Sequence, residues 1–313
     1  MPAVSIVASV LLQATVYGLV SGRLGAADSL ALSCAGFGTA AVVFNVVLLV
    51  RRRGGGAVAQ SERVTGPLLA MNALTAVTFL GFYAALSWIP SGLATAIETT
   101  VGPLAVALLG LAGVGRRPTG RAWAGCAALV VFGLAVAWRF TGTADLGSIT
   151  GLAGIGLAVL AGTGAALLAL VSADLGRRGV DPVRVTAHRF HLTYLCGGVL
   201  LAATGGAGHR WAAGLPALVA TGVLAVTIPL FLLQRGLQRT DPMVAMVLLT
   251  TLPGATYLAE TAFHGGFDPA TLALICCLVA AAAWYARSPR PASGRSGVRQ
   301  SSAERVPAVR QEQ

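Results

Sequence analysis

The sequence predicts an all-α membrane protein of ten transmembrane helices, arranged as two inverted five-helix repeats. Three observations lead there. Of 313 residues, 56% are hydrophobic and 11% charged, against about 25% charged in an ordinary soluble domain. Apolar runs of roughly 20 residues recur from near the start to about residue 287, each long enough to cross ~30 Å of hydrocarbon as a helix. A pattern in the first half also returns in the second. ALSWIPSGLATAIETTVGP from Ala85 and GLQRTDPMVAMVLLTTLP from Gly236 share a proline-bearing turn, an apolar helix, Thr-Thr and a second proline. The offset is about five helices, and an odd number of helices inverts the repeat, as in many secondary transporters.

The spans run approximately 3–21, 29–50, 66–88, 91–113, 120–138, 149–172, 183–204, 213–234, 242–262 and 268–286. Residues 1–146 form the first repeat, 147–287 the second, and 288–313 a polar tail rich in Pro, Ser and Arg, expected to be disordered. The start of the chain lacks a basic n-region and reads as a retained helix, not a signal peptide.

Charge sets the orientation. All 22 basic residues are arginine. With both termini in the cytoplasm, 18 of them fall inside or in the tail and three outside, at Arg23, Arg139 and Arg210, while Arg189 lies within a span. That asymmetry is the positive-inside pattern. It accounts for the formal charge of +11 without a nucleic-acid partner. Cys34, Cys126, Cys196, Cys276 and Cys277 all lie in apolar runs, with no zinc or disulfide spacing, and read as small packing residues.

Two features stand out against this background. The fourth span carries Glu98 and the pair Gly102–Pro103. An acid inside a bilayer is costly. It is accommodated by protonation, by a water-filled cavity or by a polar partner, and each serves a transporter. Pro103 has no N–H, so it frees the carbonyl of Thr99 and tends to kink the helix. Thr95, one turn before Glu98, shares its face, so Thr95, Glu98 and Thr99 can form one polar patch. Pro253 is the matching kink in the second half. The second intramembrane charge, Arg189, is expected too far in depth from Glu98 for an ion pair. It either snorkels to the inner surface or receives a substrate carboxylate. His188 and His191, three apart, share a helical face and suit proton relay or interhelical hydrogen bonding. No further metal ligands accompany them, and neither a metal nor a cofactor is expected. Gln13, Tyr17, Asn72 and Gln234 are scattered polar residues that either line a path or hold helices together. No P-loop and no hydrolytic triad is present, so neither ATP hydrolysis nor an enzyme is indicated.

Ten spans as five plus five, cytoplasmic termini and the proline-bearing fourth span resemble the drug/metabolite transporter superfamily, in particular its EamA-type members, over about residues 3–287. PSGLATAIETTVGPLAVALLG followed by GRRPTGRAW is similar to the threonine/homoserine exporter branch. Pro90, Gly92, Ala94, Ala96 and Glu98 fit the first part of its motif, Gly102 to Leu108 the second, and Arg116, Arg117 and Pro118 the third. The chain departs from the branch in placing Glu98 four residues before Gly102 instead of three. The extra residue either is absorbed at the proline kink or turns Glu98 aside and puts Thr99 in its place. It also has Leu252–Pro253 where a Glu-Pro pair is usual, and Gly265–Gly266 where Gly-Glu is usual. The resemblance implies export of a small amphipathic solute, an amino acid of the threonine/homoserine kind or a related metabolite, across the inner membrane, in exchange for H+. Export of drug-like or secondary metabolites is the alternative, a non-transporting membrane partner the less favoured one, and homodimerisation stays open.

Overall fold

Residues 2–20, 26–53, 64–115, 117–139, 147–203 and 210–286 are described in a computed structural model of the chain. The 288–313 tail, Arg23 and Arg116 lie outside them. The described residues form helices and no strand. Eight helical stretches are long and apolar enough to cross a membrane, and a shorter apolar helix, Pro269–Trp284, follows them. The chain is a multi-pass membrane protein.

The first five helices are α1 (Pro2–Val20), α2 (Ala26–Arg53), α3 (Thr65–Ala85), α4 (Ser91–Leu111) and α5 (Gly120–Arg139). The next, α6 (Ile149–Arg177), has 29 residues and continues past the expected end at 172. Ser148 starts it by accepting the Gly151 N–H at 3.0 Å. Three later helices begin with an Asp-Pro pair, in which the aspartate caps free N–H groups and the proline occupies a position that needs none. Asp181 caps α7 (Pro182–His188), Asp241 caps α11 (Pro242–Leu249) and Asp268 caps α13 (Pro269–Ala286).

The expected seventh, eighth and ninth spans are not single α-helices. The seventh is α7 followed by α8 (His191–Ala203), with Arg189 and Phe190 at the break. Side chains from other helices satisfy the backbone groups exposed there. Asn45 donates to the Ala187 carbonyl at 2.9 Å, and Asn72 accepts the Leu192 N–H at 2.9 Å. The eighth contains α9 (Arg210–Gly222), a π-helical segment Val223–Thr227, and α10 (Ile228–Leu237). The ninth stops at the end of α11 and resumes as α12 (Leu252–His264). Pro253 withholds the N–H that would bond Leu249, while the Thr250 and Thr251 hydroxyls turn back onto the Val247 and Leu248 carbonyls at 2.6 and 2.7 Å. By contrast, α4 continues as one helix through Pro103.

Packing relies on small residues, which let helix backbones meet where there is no water to expel. Helix α6 lies against α3 and α4, with Gly164 on Thr78 and Gly162 on the backbone of Glu98. Gly18 of α1 meets the backbone of α12 at Ala259 and Glu260. Phe37, Phe79 and Phe190 form an aromatic knot, with ring centroids 5.0 and 5.5 Å from Phe37. Val42, Val46, Val131, Trp138, Leu195 and Val199 stay exposed, as befits a surface that meets lipid.

Candidate functional site

Helix α1 brings a ladder of polar groups into an apolar bundle. Ser9, Gln13 and Tyr17 are spaced four apart and therefore share a face. The Ser9 hydroxyl donates to the Pro229 carbonyl of α10 at 2.7 Å, and Gln13 Nε2 donates to Ser9 Oγ at 2.9 Å. Tyr17 OH approaches Gln13 Oε1 at 3.5 Å and lies beside Tyr83 of α3. The upper part of this ladder, Gln13 and Tyr17, forms one wall of an interior cavity of about 70 Å³.

Helix α4 forms a second wall with Glu98, Thr99 and Gly102. Both Glu98 and Thr99 line the space, so the extra residue before Gly102 does not turn the acid aside in favour of the threonine. Glu98 and Gly102, four apart, present the same face. The Thr99 hydroxyl is committed to the Thr95 carbonyl at 2.7 Å. The Glu98 carboxylate makes no hydrogen bond or ion pair with a described residue, but it lies within electrostatic reach of both Tyr17 and Tyr83.

Arg189 completes the polar lining. Its side chain does not snorkel: the residue is 1% exposed. Nε donates to Thr75 Oγ1 at 3.2 Å and Nη1 donates to Gln234 Oε1 at 2.8 Å. The guanidinium also sits 5.2 Å from the Phe190 ring centroid, a cation–π contact. Gln234 in turn accepts from Ser172 Oγ at 3.3 Å. These partners are all neutral. No carboxylate of a described residue pairs with Arg189, so a charge is held in the interior by neutral groups, an arrangement that favours an anionic ligand. The break between α7 and α8 is what points the residue inward, because it lies between two helix ends and on neither helix.

The remaining expected site residues lie outside the cavity lining. Thr95 and Pro103, on α4, are not part of the lining, and Pro253 stands next to Leu252, which does line it, as does Leu249. His188 and His191 do not share a face of one helix, because the first ends α7 and the second begins α8. Their rings are 6.4 Å apart, away from the cavity, and His191 packs edge-on against Tyr194 at 5.9 Å. Among the described residues, no three of His, Cys, Asp and Glu stand together as metal ligands would. Thr75, Ser172 and Tyr83 belong to the site's surroundings without having been marked by the sequence. The spacing of Ser9, Gln13 and Tyr17 in an otherwise apolar run was a readable signal for the ladder.

No family model and no curated protein matches the chain. Among solved structures it is similar to one described only as "Crystal structure of protein", 18% identical, with 91% of this chain and 95% of that one covered and a TM-score of 0.71. At that identity the likeness is one of fold.

Proposed function

We propose that the chain is a secondary active transporter of the inner membrane, with both termini cytoplasmic, that moves a small solute by alternating access. In this reading α7 with α8, and α13, complete ten spans, and the two five-helix halves rock about the central cavity. The substrate is an amino acid or related metabolite, exported in exchange for H+. Glu98 carries the proton or meets the substrate's ammonium group, and Arg189 receives its carboxylate.

One observation supports this above the rest. Glu98 and Arg189 line the same cavity, and neither is neutralised by the other or by any other charged side chain among the described residues. A purely structural pair of buried charges would be expected to meet, because an unpaired one is costly. The size of the space points the same way. About 70 Å³ holds a few waters or a small solute and is well short of the ~300 Å³ at which sites for drug-sized ligands begin. The apolar remainder of the lining, including Phe79, Phe82 and Met246, favours the second reading, a more apolar metabolite.

The test is flux in proteoliposomes with an imposed pH gradient. Wild-type protein should exchange an amino acid for protons, and Glu98→Gln should abolish gradient-driven flux. Gradient-driven flux that survives the substitution would remove Glu98 from the proton-carrying role. A ligand-stabilisation screen of amino acids against apolar amines separates the two substrate readings.

A further inference from the structure

A second, larger cavity of about 1010 Å³ opens at the arginine-rich end of the molecule. Its rim carries Arg117 and Arg121 beside the start of α5, Arg177 at the end of α6, and Arg239 between α10 and α11. Two carboxylates also line it. Asp174 is neutralised by Arg177 at 3.1 Å and Arg178 at 2.7 Å, and Asp241 caps the Met243 N–H at 3.0 Å. Arg121 lies 5.3 Å from the Trp284 ring centroid. Arg117 and Arg239, exposed on different walls, make no ion pair with a described residue.

The rest of the wall sharpens the chemistry. The starts of α3, α5 and α11 all border the space, through Pro67, Ala122 and Pro242. Helix N-termini carry partial positive charge, and that of α3 has no side-chain cap. Below the rim the wall turns apolar, with Val106, Leu167, Leu170, Val171 and Met243.

We infer that this vestibule is a binding site for a phosphate-bearing anion, separate from the central cavity. Planar guanidinium groups on two walls are matched to phosphate oxygens, and the uncapped start of α3 adds to the same field. The apolar floor favours a source with an acyl chain, an anionic phospholipid whose headgroup sits at the rim. The positive-inside rule explains arginines at this end, but not the gathering of four of them from three loops and helices around one cavity with an apolar floor, the form that a basic pocket for an anionic headgroup takes. The site does not depend on the transport reading.

Binding to purified, delipidated full-length protein tests it by native mass spectrometry and thermal shift, with phosphatidylglycerol, phosphatidylcholine and inorganic phosphate as probes. Wild-type protein should prefer phosphatidylglycerol at least tenfold over phosphatidylcholine. The double variant Arg117→Gln/Arg239→Gln should lose most of that preference. Arg52→Gln/Arg53→Gln removes equal charge outside the vestibule and should keep it. Competition by inorganic phosphate identifies a soluble phosphate as sufficient; retention of lipid despite it identifies the phospholipid as the source. Absence of binding by both anionic probes to wild-type protein overturns the inference whatever the variants do. So does an equal loss in the two double variants, which would reduce the effect to the general charge of that face.

Discussion

The backbone carbonyl of Glu98 rests on the α-carbon of Gly162: a side-chain carbon added at Gly162 would stand 2.5 Å from that oxygen and 2.9 Å from Val101 Cβ. The depth at which α4 seats Glu98 is therefore set by the absence of a side chain on α6. Gly162→Ala should push the two helices apart, at about 1–3 kcal/mol for overpacking, and lower the melting temperature. Gly156→Ala on the same helix meets nothing within 4 Å and should hold or raise stability, since alanine is the better helix former by up to ~1 kcal/mol. Opposite signs in one thermal-shift experiment check the relation. A matching drop in solute binding for Gly162→Ala alone would tie the contact to the position of Glu98.

Arg189 should behave unlike an ordinary buried residue. Removing it forfeits its bonds to Thr75 and Gln234, about 1.5–3 kcal/mol each for bonds to a charged group. It also removes the cost of an interior charge with no counter-ion, which is several kcal/mol. The two effects oppose, so Arg189→Met should change stability by less than about 2 kcal/mol while abolishing stabilisation by a carboxylate-bearing ligand. A large loss of unliganded stability with ligand response intact would make Arg189 a structural residue.

The loop before α13 offers a pH-dependent contact outside the membrane-spanning helices. The Asp268 carboxyl is held well below its usual range, first by the Thr271 hydroxyl at 2.5 Å and next by Arg139 at 2.6 Å, with the Ala270 and Thr271 N–H groups adding to them. A lowered folded-state value means that the stabilisation is complete above the unfolded carboxyl's value of about 3.9 and fades as pH falls from there toward the folded one. Asp268→Asn should therefore melt lower than wild type at pH 7, and the two should converge as the pH drops below about 4. Curves that stay parallel into acid would show that the ionised carboxylate is not what holds α5 to α13.

Helices were legible in this sequence because a bilayer admits only helices and closed barrels, and apolar runs of about 20 residues lack the alternation of a barrel strand. Glu98 was legible because its charge is expensive there. Arg189 was ambiguous between surface and interior, since the answer rests on Thr75 and Gln234, which are 114 and 45 residues away. The interruption in the ninth span had a local cause, Thr250 and Thr251 before Pro253, and both threonines keep a right-handed helical backbone, so the expected kink at Pro253 divides the helix without turning the chain out of the span. The broken seventh had none: TAHRFH contains neither proline nor glycine, and the side chains that cap the two ends come from α2 and α3.

That last dependence can be measured directly. The α8 helix begins in the interior with its Leu192 N–H on Asn72 Oδ1, and α7 ends with the Ala187 carbonyl on Asn45 Nδ2. Losing an N-terminal cap costs about 0.5–2 kcal/mol, and the cost should fall on the helix that loses it. Asn72→Ala should lower the melting temperature modestly and speed hydrogen exchange in the first turn of α8, residues 191–194. Asn45→Ala should act on the far side of the break, at the last turn of α7, and leave 191–194 protected. Because Arg189 stands between the two ends, either variant should also weaken carboxylate binding without touching the cavity lining. If exchange at 191–194 did not respond to Asn72→Ala, the interruption would be held by the packing of Phe190 in its aromatic knot and not by the two asparagines.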